Sequence, residues 1–125
     1  MKHVLLIDDN EIDRYIAQHI IDKNKMPQKI SVKSSAIEAL EFLAILKTNG
    51  EEFPDYIFLD IQMPEMNGFE FLDEFNKFPK ALIGHCNVIM LTSSSHERDR
   101  KRSFQYLCVK KFITKPLSFD LLEDV

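Results

Sequence analysis

Two hydrophobic periods alternate along this chain of 125 residues. Short apolar runs predict strands, and the segments after them repeat apolar residues every three to four positions, as helices do. The strands are predicted at 3–7, around 30–32, at 56–59, at 88–91 and at 112–113. A helix is predicted after each strand, so the pattern repeats five times.

Polar residues mark where four of these helices begin, because their side chains can bond the free backbone N–H groups of a first turn. The predicted caps are Asn10 for the helix from Glu11, Ser35 for the second, Ser95 for the fourth and Ser118 for a fifth from Phe119. The apolar positions are Ile12, Tyr15, Ile16 and Ile20 in the first helix, Ile37, Leu40, Leu43 and Ala44 in the second, Phe69, Leu72 and Phe75 in the third, and Phe104 and Leu107 in the polar fourth.

Alternating strands and helices favour right-handed crossovers, and therefore a doubly wound α/β fold with helices on both faces of a parallel sheet. The unbroken apolar runs agree, because a central parallel strand is covered on both sides. We expect one domain over residues 1–125. Val125 comes soon after the predicted start of the last helix, so that helix is expected to be truncated, and no output domain is visible.

Composition excludes several classes of protein. A net charge of −4 and a pI near 5.5 argue against direct binding to nucleic acid. No apolar run approaches the roughly 18 residues of a membrane span, so we expect no membrane segment and a cytoplasmic protein. Cys86 and Cys108 match no metal or redox spacing and are expected to be buried free thiols.

Polar side chains follow four of the five predicted strands. They are Asp8 and Asp9 after the first strand, Asp60 after the third, Thr92 at the end of the fourth and Lys115 after the fifth. In a parallel sheet these ends share one edge, where ligands bind. A single acid at the end of a strand is a helix cap about as often as it is a site residue. These residues together, however, fit a single site.

Three gathered carboxylates need counter-charge, because a pair 4 Å apart repels by roughly 4 kcal/mol at an effective dielectric near 20. Lys115 supplies one positive charge, and Mg²⁺ suits a site of carboxylates, a carbonyl and waters. An aspartate beside such an ion is a competent nucleophile toward phosphorus and forms an acyl phosphate. Thr92 can donate a hydrogen bond to a phosphoryl oxygen while the cations offset its charge.

Four motifs carry a resemblance that covers nearly the whole chain: LLIDDN (5–10), FLDIQMPEMNG (58–68), IMLTSSS (89–95) and FITKP (112–116). In this order and spacing they resemble the receiver domain of two-component response regulators. The resemblance implies a flavodoxin-like (βα)₅ fold with strand order 2-1-3-4-5. It also implies that Asp60 is the phosphorylated residue, that Asp9 is a direct Mg²⁺ ligand with Asp8 in an outer or water-mediated position, and that Gln62 gives its backbone carbonyl to the metal.

The same resemblance assigns a switch. Thr92 is the switch hydroxyl, Lys115 binds the phosphate, and Phe112 is the aromatic residue that moves into the space Thr92 vacates. The Lys115-Pro116 bond is expected to be cis. Gln62 and Ser94 flank the path of attacking water and bias the lifetime of the acyl phosphate. Leu107-Cys108-Val109 stands where relatives often carry Gly-Ala, which bears on how freely Phe112 turns.

The implied function is that of a response regulator. The chain would take a phosphoryl group from a histidine kinase or histidine phosphotransfer protein in a Mg²⁺-dependent reaction and switch the binding of a downstream protein. It would catalyse its own phosphorylation and dephosphorylation and no other reaction. A homodimer through the fourth helix, fifth strand and fifth helix is a further expectation.

Two alternatives stay open. The first is a pseudo-receiver, in which the same fold binds proteins without phosphate. The second is a hydrolase with an aspartyl nucleophile, which would need a second acid two residues after Asp60, where Gln62 stands.

Overall fold

The computed structural model describes residues 2–23, 28–93 and 96–118. Its strands are β1 Lys2–Ile7, β2 Gln28–Lys33, β3 Tyr56–Leu59, β4 Asn87–Thr92 and β5 Val109–Thr114. The described helices are α1 Glu11–Asp22, α2 Ala36–Thr48, α3 Gly68–Phe75, α4 Lys80–His85 and α5 Glu97–Ser103.

The five strands form one parallel sheet in the order β2-β1-β3-β4-β5, which confirms the predicted fold. β1 lies inside the sheet, between β2 and β3. Val4, Leu5, Leu6 and Ile7 are all buried, because helices cover both faces of this strand. The unbroken apolar run in the sequence therefore reflects the burial of both faces of β1.

Alternate residues of each strand point to opposite faces and build two cores. On one face Leu5 and Ile7 pack with residues of α2 and α3 such as Leu43 and Phe71. On the other face Val4 and Leu6 pack with residues of α1.

The buried face of α1 agrees with the predicted one mainly at Ile20, which is partly buried and packs against the core. Ile12 and Tyr15 are 70% and 72% exposed and Ile16 is 39% exposed, whereas Ala17 and Ile21 are buried. The small side chain of Ala17 lets the helix approach the sheet closely, and a count of bulky residues cannot detect that. The predicted cap is correct, since Asn10 accepts a hydrogen bond from the backbone N–H of Asp13 at 2.9 Å.

The predicted face of α2 is correct in part. Leu43 is buried and Leu40 is partly buried, but Ile37 and Ala44 are exposed. The helix buries Ala36, Ala39, Leu43 and Leu46. Apolar residues lie nearly all round α2, so its period does not select one face. Its predicted cap, Ser35, accepts from the N–H of Glu38.

The later helices show both agreement and differences. In α3 the predicted Phe69, Leu72 and Phe75 are all buried. The short α4 was not predicted; it has no side-chain cap and no buried residue.

In α5 the first residue is Glu97, with His96 in the cap position, and the expected apolar contributors are exposed, Phe104 by 42% and Leu107 by 91%. The predicted cap Ser95 and the helix from Phe119 lie outside the described residues.

One smaller expectation, that of buried free thiols, is also met. Cys86 and Cys108 are free and buried. Among the described residues no helix combines the length and the hydropathy that a membrane span needs.

Candidate functional site

The strand ends converge as the sequence predicts. β1 and β3 are neighbours, and the backbone N–H of Asp60 donates to the carbonyl of Ile7 at 3.0 Å, which places the end of β3 beside Asp8. The side chains of Asp8 and Asp60 are buried, and Asp9 is exposed. Asp8, Asp9 and Asp60 each offer an oxygen within 4.8 Å of those of the other two.

This cluster fits a hard divalent cation. Oδ1 of Asp8 accepts from the N–H of Asn10 at 3.0 Å. Its Oδ2 is buried and forms an ion pair with Nζ of Lys115 at 2.8 Å. Three carboxylates with converging oxygens, two of them on buried side chains, match the ligand preference of Mg²⁺.

Lys115 is surrounded by carboxylates. Its Nζ lies 2.8 Å from Asp8 Oδ2, 2.8 Å from Asp13 Oδ2 and 3.5 Å from Asp60 Oδ1. The backbone N–H of Lys115 donates to the carbonyl of Thr92 at 2.7 Å, which fixes the start of the segment after β5. Asp13, which lies on α1, belongs to no motif that the sequence brought out.

Burial and neighbouring charge set the pKa values of the two central groups. Burial, and then the charge of Asp8, raise the pKa of Asp60 to about 7, although Lys115 acts in the opposite direction. Burial lowers the pKa of Lys115, but hydrogen bonds to Asp13 and Asp8 and the charge of Asp60 outweigh it and raise the value to about 12. Lys115 is therefore fully charged at neutral pH.

The loop after β3 is held close to the site by a glycine. Asn67 caps α3 and forms a capping box with Glu70. A Cβ on Gly68 would lie 2.6 Å from the backbone oxygen of Asp60, so the start of α3 approaches the strand end as closely as a glycine allows. Gln62 lies in the loop between them and is exposed.

The predicted switch residues lie on the side of the sheet that faces α3. Thr92 is buried at the end of β4. Phe112 is half-buried, lies opposite Met90 in the register of β4 and β5, and packs against the core that contains α3. The Lys115-Pro116 bond is cis, as expected, and Ser94 lies outside the described residues.

Two contacts tie the C-terminal end of α5 and the turn after it to α3. The hydroxyl of Tyr106 donates to Asp73 Oδ1 at 2.7 Å. The guanidinium carbon of Arg102 lies 4.2 Å from the ring centre of Phe69. Tyr106 and Phe112 pack against the same core cluster, which contains Phe69.

Comparison with known proteins gives one family. Residues 4–125 match the model of the response regulator receiver domain. The chain is 39% identical over 126 residues to protein-glutamate methylesterase/protein-glutamine glutaminase 3 of Burkholderia thailandensis. It is 38% identical over 122 residues to sensor histidine kinase CheAY of Helicobacter pylori. These matches cover 100% and 98% of the chain but only 32% and 14% of the two relatives.

Shorter relatives and solved structures agree. The two-component response regulator ORR8 of Oryza sativa is 30% identical over 115 residues, which are 92% of this chain and 87% of that protein. A two-component response regulator from Cytophaga hutchinsonii superposes with a TM-score of 0.91 at 30% identity, over 99% of this chain and 92% of the other. The Mn²⁺-bound form of response regulator Rcp1 gives a TM-score of 0.79 at 25% identity, over 99% and 88%.

Proposed function

The chain belongs to the family of response regulator receiver domains, and on that premise we propose that Asp60 accepts a phosphoryl group from the phosphohistidine of a histidine kinase or histidine phosphotransfer protein. The observation that supports this most strongly is the convergence of Asp8, Asp9, Asp60 and Lys115 at one edge of the sheet. In this proposal residues 1–125 act as one receiver domain.

The proposed reaction transfers a phosphoryl group from a histidine nitrogen of the donor to a carboxylate oxygen of Asp60. A carboxylate oxygen of Asp60 attacks phosphorus, the bond between phosphorus and the histidine nitrogen breaks, and an acyl phosphate forms. Lys115 places a positive charge beside the oxygens of the transferred group, and Thr92 donates a hydrogen bond to one of them. The exposed side of the site, at Asp9, leaves room for the donor.

Mg²⁺ is the cation we assign to the cluster. Asp9, Asp60 and the backbone carbonyl of Gln62 would hold it directly, with Asp8 acting through water. Bound there, the ion would offset the negative charge of the transferred group. The converging oxygens of Asp8, Asp9 and Asp60 support this assignment.

The output follows from the added charge. Phosphorylation adds three acceptor oxygens at Asp60, and Thr92 moves toward one of them. Phe112 then turns into the space that Thr92 leaves and changes the surface formed by α5 and β5. Phe104 and Leu107 expose apolar area there, which a downstream protein or a second copy of the chain would cover.

Further properties follow from the same proposal. The domain acts in the cytoplasm as a signalling module and catalyses only its own phosphorylation and dephosphorylation. Gln62 and Ser94 influence how long the acyl phosphate survives.

A small phosphate donor tests the proposal without a known kinase. Incubation with acetyl phosphate and Mg²⁺ should add one phosphoryl group, measured by intact mass, and chelation of the metal should prevent the gain. Asp60→Asn should not react, whereas the surface variant Asp22→Asn should react as the wild type does. If neither a small donor nor a kinase ever modifies the wild type, the chain is instead a phosphate-independent protein-binding module.

A further inference from the structure

Asp13 is a fourth carboxylate at the site, and the proposed transfer does not use it. Its Oδ2 lies 2.8 Å from Nζ of Lys115, which is closer than the 3.5 Å from that nitrogen to Asp60. Asp13 does not belong to the three acids whose oxygens converge within 4.8 Å. Its contact at the site is with Lys115, not with the place of the cation.

The position of Asp13 is set by the beginning of α1. Its backbone N–H donates to the cap residue Asn10 at 2.9 Å. The next side chain, Arg14, donates from Nη1 to the backbone carbonyl of Asp8 at 2.9 Å. The first turn of α1 is thus fastened to the end of β1, so the carboxylate of Asp13 cannot follow Lys115 freely.

The ammonium of Lys115 has three donors, and three carboxylates surround it. A cation among Asp8, Asp9 and Asp60 would draw on the oxygens of two of these partners. Asp13 would then be the carboxylate that Lys115 retains, on the side of α1. A phosphoryl group on Asp60 has to compete with Asp13 for the same ammonium.

We propose that Asp13 is a positioning residue that restrains Lys115 on the α1 side of the site and so limits how strongly Lys115 engages the phosphoryl group on Asp60. This inference rests on the proposed function. Release of the restraint strengthens the contact between Lys115 and the phosphoryl oxygens. It therefore speeds phosphorylation and tightens the binding of phosphoryl analogues.

Asp13→Asn tests the inference because it removes the charge and keeps the shape. With Mg²⁺ present, the variant should react with acetyl phosphate faster and bind beryllofluoride more tightly, by about two- to fivefold, the range expected for a partly exposed ion pair. Asp13→Glu should return toward the wild type. Glu11→Gln is the matched control, since it removes one exposed negative charge from the same helical turn and should change neither quantity.

A second background separates positioning from simple repulsion of the anionic donor. In Lys115→Ala the exchange Asp13→Asn should have no effect, because Asp13 acts through Lys115. An equal gain in that background would overturn the inference, and so would an unchanged Asp13→Asn in the wild-type background. Thermal unfolding of each variant shows that it is folded. A wild type that takes up no phosphoryl group would refute the proposed function, whereas a reactive wild type matched by Asp13→Asn refutes this inference alone.

Discussion

The ionised side chain of Asp60 destabilises the folded, unphosphorylated protein at neutral pH. Burial and the charge of Asp8 raise its pKa from the ordinary 3.8 to about 7, so its ionised form is disfavoured in the folded state. Between these two values the folded chain holds a proton that the unfolded chain has lost. The stability contributed by protonated Asp60 is complete below the unfolded pKa of 3.8 and is lost as pH rises to about 7.

Asp60→Asn should therefore stabilise the metal-free protein at pH 8. The gain in free energy of unfolding should be on the order of a few kcal/mol, because the cost of the buried charge is removed. The difference from the wild type should shrink as pH falls from about 7 toward 4. Urea unfolding in the presence of EDTA, at several pH values, measures it.

The exposed acid Asp22 provides the control for this experiment. Asp22→Asn should change the free energy of unfolding only slightly, because the side chain is exposed. A difference for Asp60→Asn that stays constant from pH 4 to 8 would contradict the electrostatic explanation.

The ends of the predicted strands account for most of the candidate site but not for Asp13. Asp8, Asp60 and Lys115 follow strands, so the parallel sheet alone brings them to one edge. Asp13 reaches Lys115 from a helix, across 102 positions of sequence. An acid in the first turn of a helix is common for reasons of the helix dipole, so nothing local marks it as a partner of Lys115.

Helix α1 carries apolar residues that the core does not cover. α1 buries Ala17 and Ile21 and leaves Ile12 and Tyr15 largely, and Ile16 partly, in solvent. The exposed stripe is on the helix that begins just after Asp9 and carries Asp13. Under the proposed function a phosphohistidine-bearing protein must bring its histidine to Asp60, so this stripe is expected to lie in the surface that it contacts.

Replacing Ile12 or Tyr15 by serine should then slow phosphotransfer from a protein donor. We expect about a tenfold loss for a central apolar contact, because truncation of such a residue costs on the order of 1–2 kcal/mol. The donor is any histidine phosphotransfer domain that phosphorylates the wild type. Transfer rates are compared with those from acetyl phosphate, which should not change.

Ile45 on α2 gives a matched control, because it is 57% exposed and lies on a different helix. Ile45→Ser should leave both donors unaffected. Equal losses with the protein donor and with acetyl phosphate would show damage to the site itself, and no loss with either would place the docking surface elsewhere.

The spacing of apolar residues predicts which face of a helix is buried only when the helix has a single apolar stripe. In α3 the residues Phe69, Leu72 and Phe75 are bulky and share one face, and all are buried. Helix α1 has two apolar stripes, and the one that packs against the sheet contains the small Ala17. The short α4 has neither a cap nor a stripe, so its sequence gives no signal.

At the scale of the molecule, alternation predicts the class of fold but not the order of its strands. A parallel sheet follows from strands that alternate with helices. The order 2-1-3-4-5 came from the family motifs, and the structure confirms it. That order places β3 between β1 and β4, so Asp60 has acids on one side and Thr92 on the other.

The same arrangement predicts how a signal leaves the site. Of the seven residues of α5, Ser103 alone is buried, so the helix is held mainly by neighbouring contacts such as Tyr106 with Asp73 and Arg102 with Phe69. An element with so little buried area shifts at low cost in free energy. Beryllofluoride bound at Asp60 should therefore change amide hydrogen exchange across α5 and β5 and leave α2 nearly unaffected.

Thr92→Ala should separate binding at the site from this response. The variant keeps Asp60, the acid cluster and Lys115, so it should still bind beryllofluoride in the presence of Mg²⁺. It lacks the hydroxyl that is drawn toward the bound group, so binding no longer moves a side chain near Phe112, and exchange in α5 should change much less on binding than in the wild type. An equal response in Thr92→Ala would show that α5 is coupled to Asp60 by another route, such as the loop that leads into α3, and no response in the wild type would remove the switch itself.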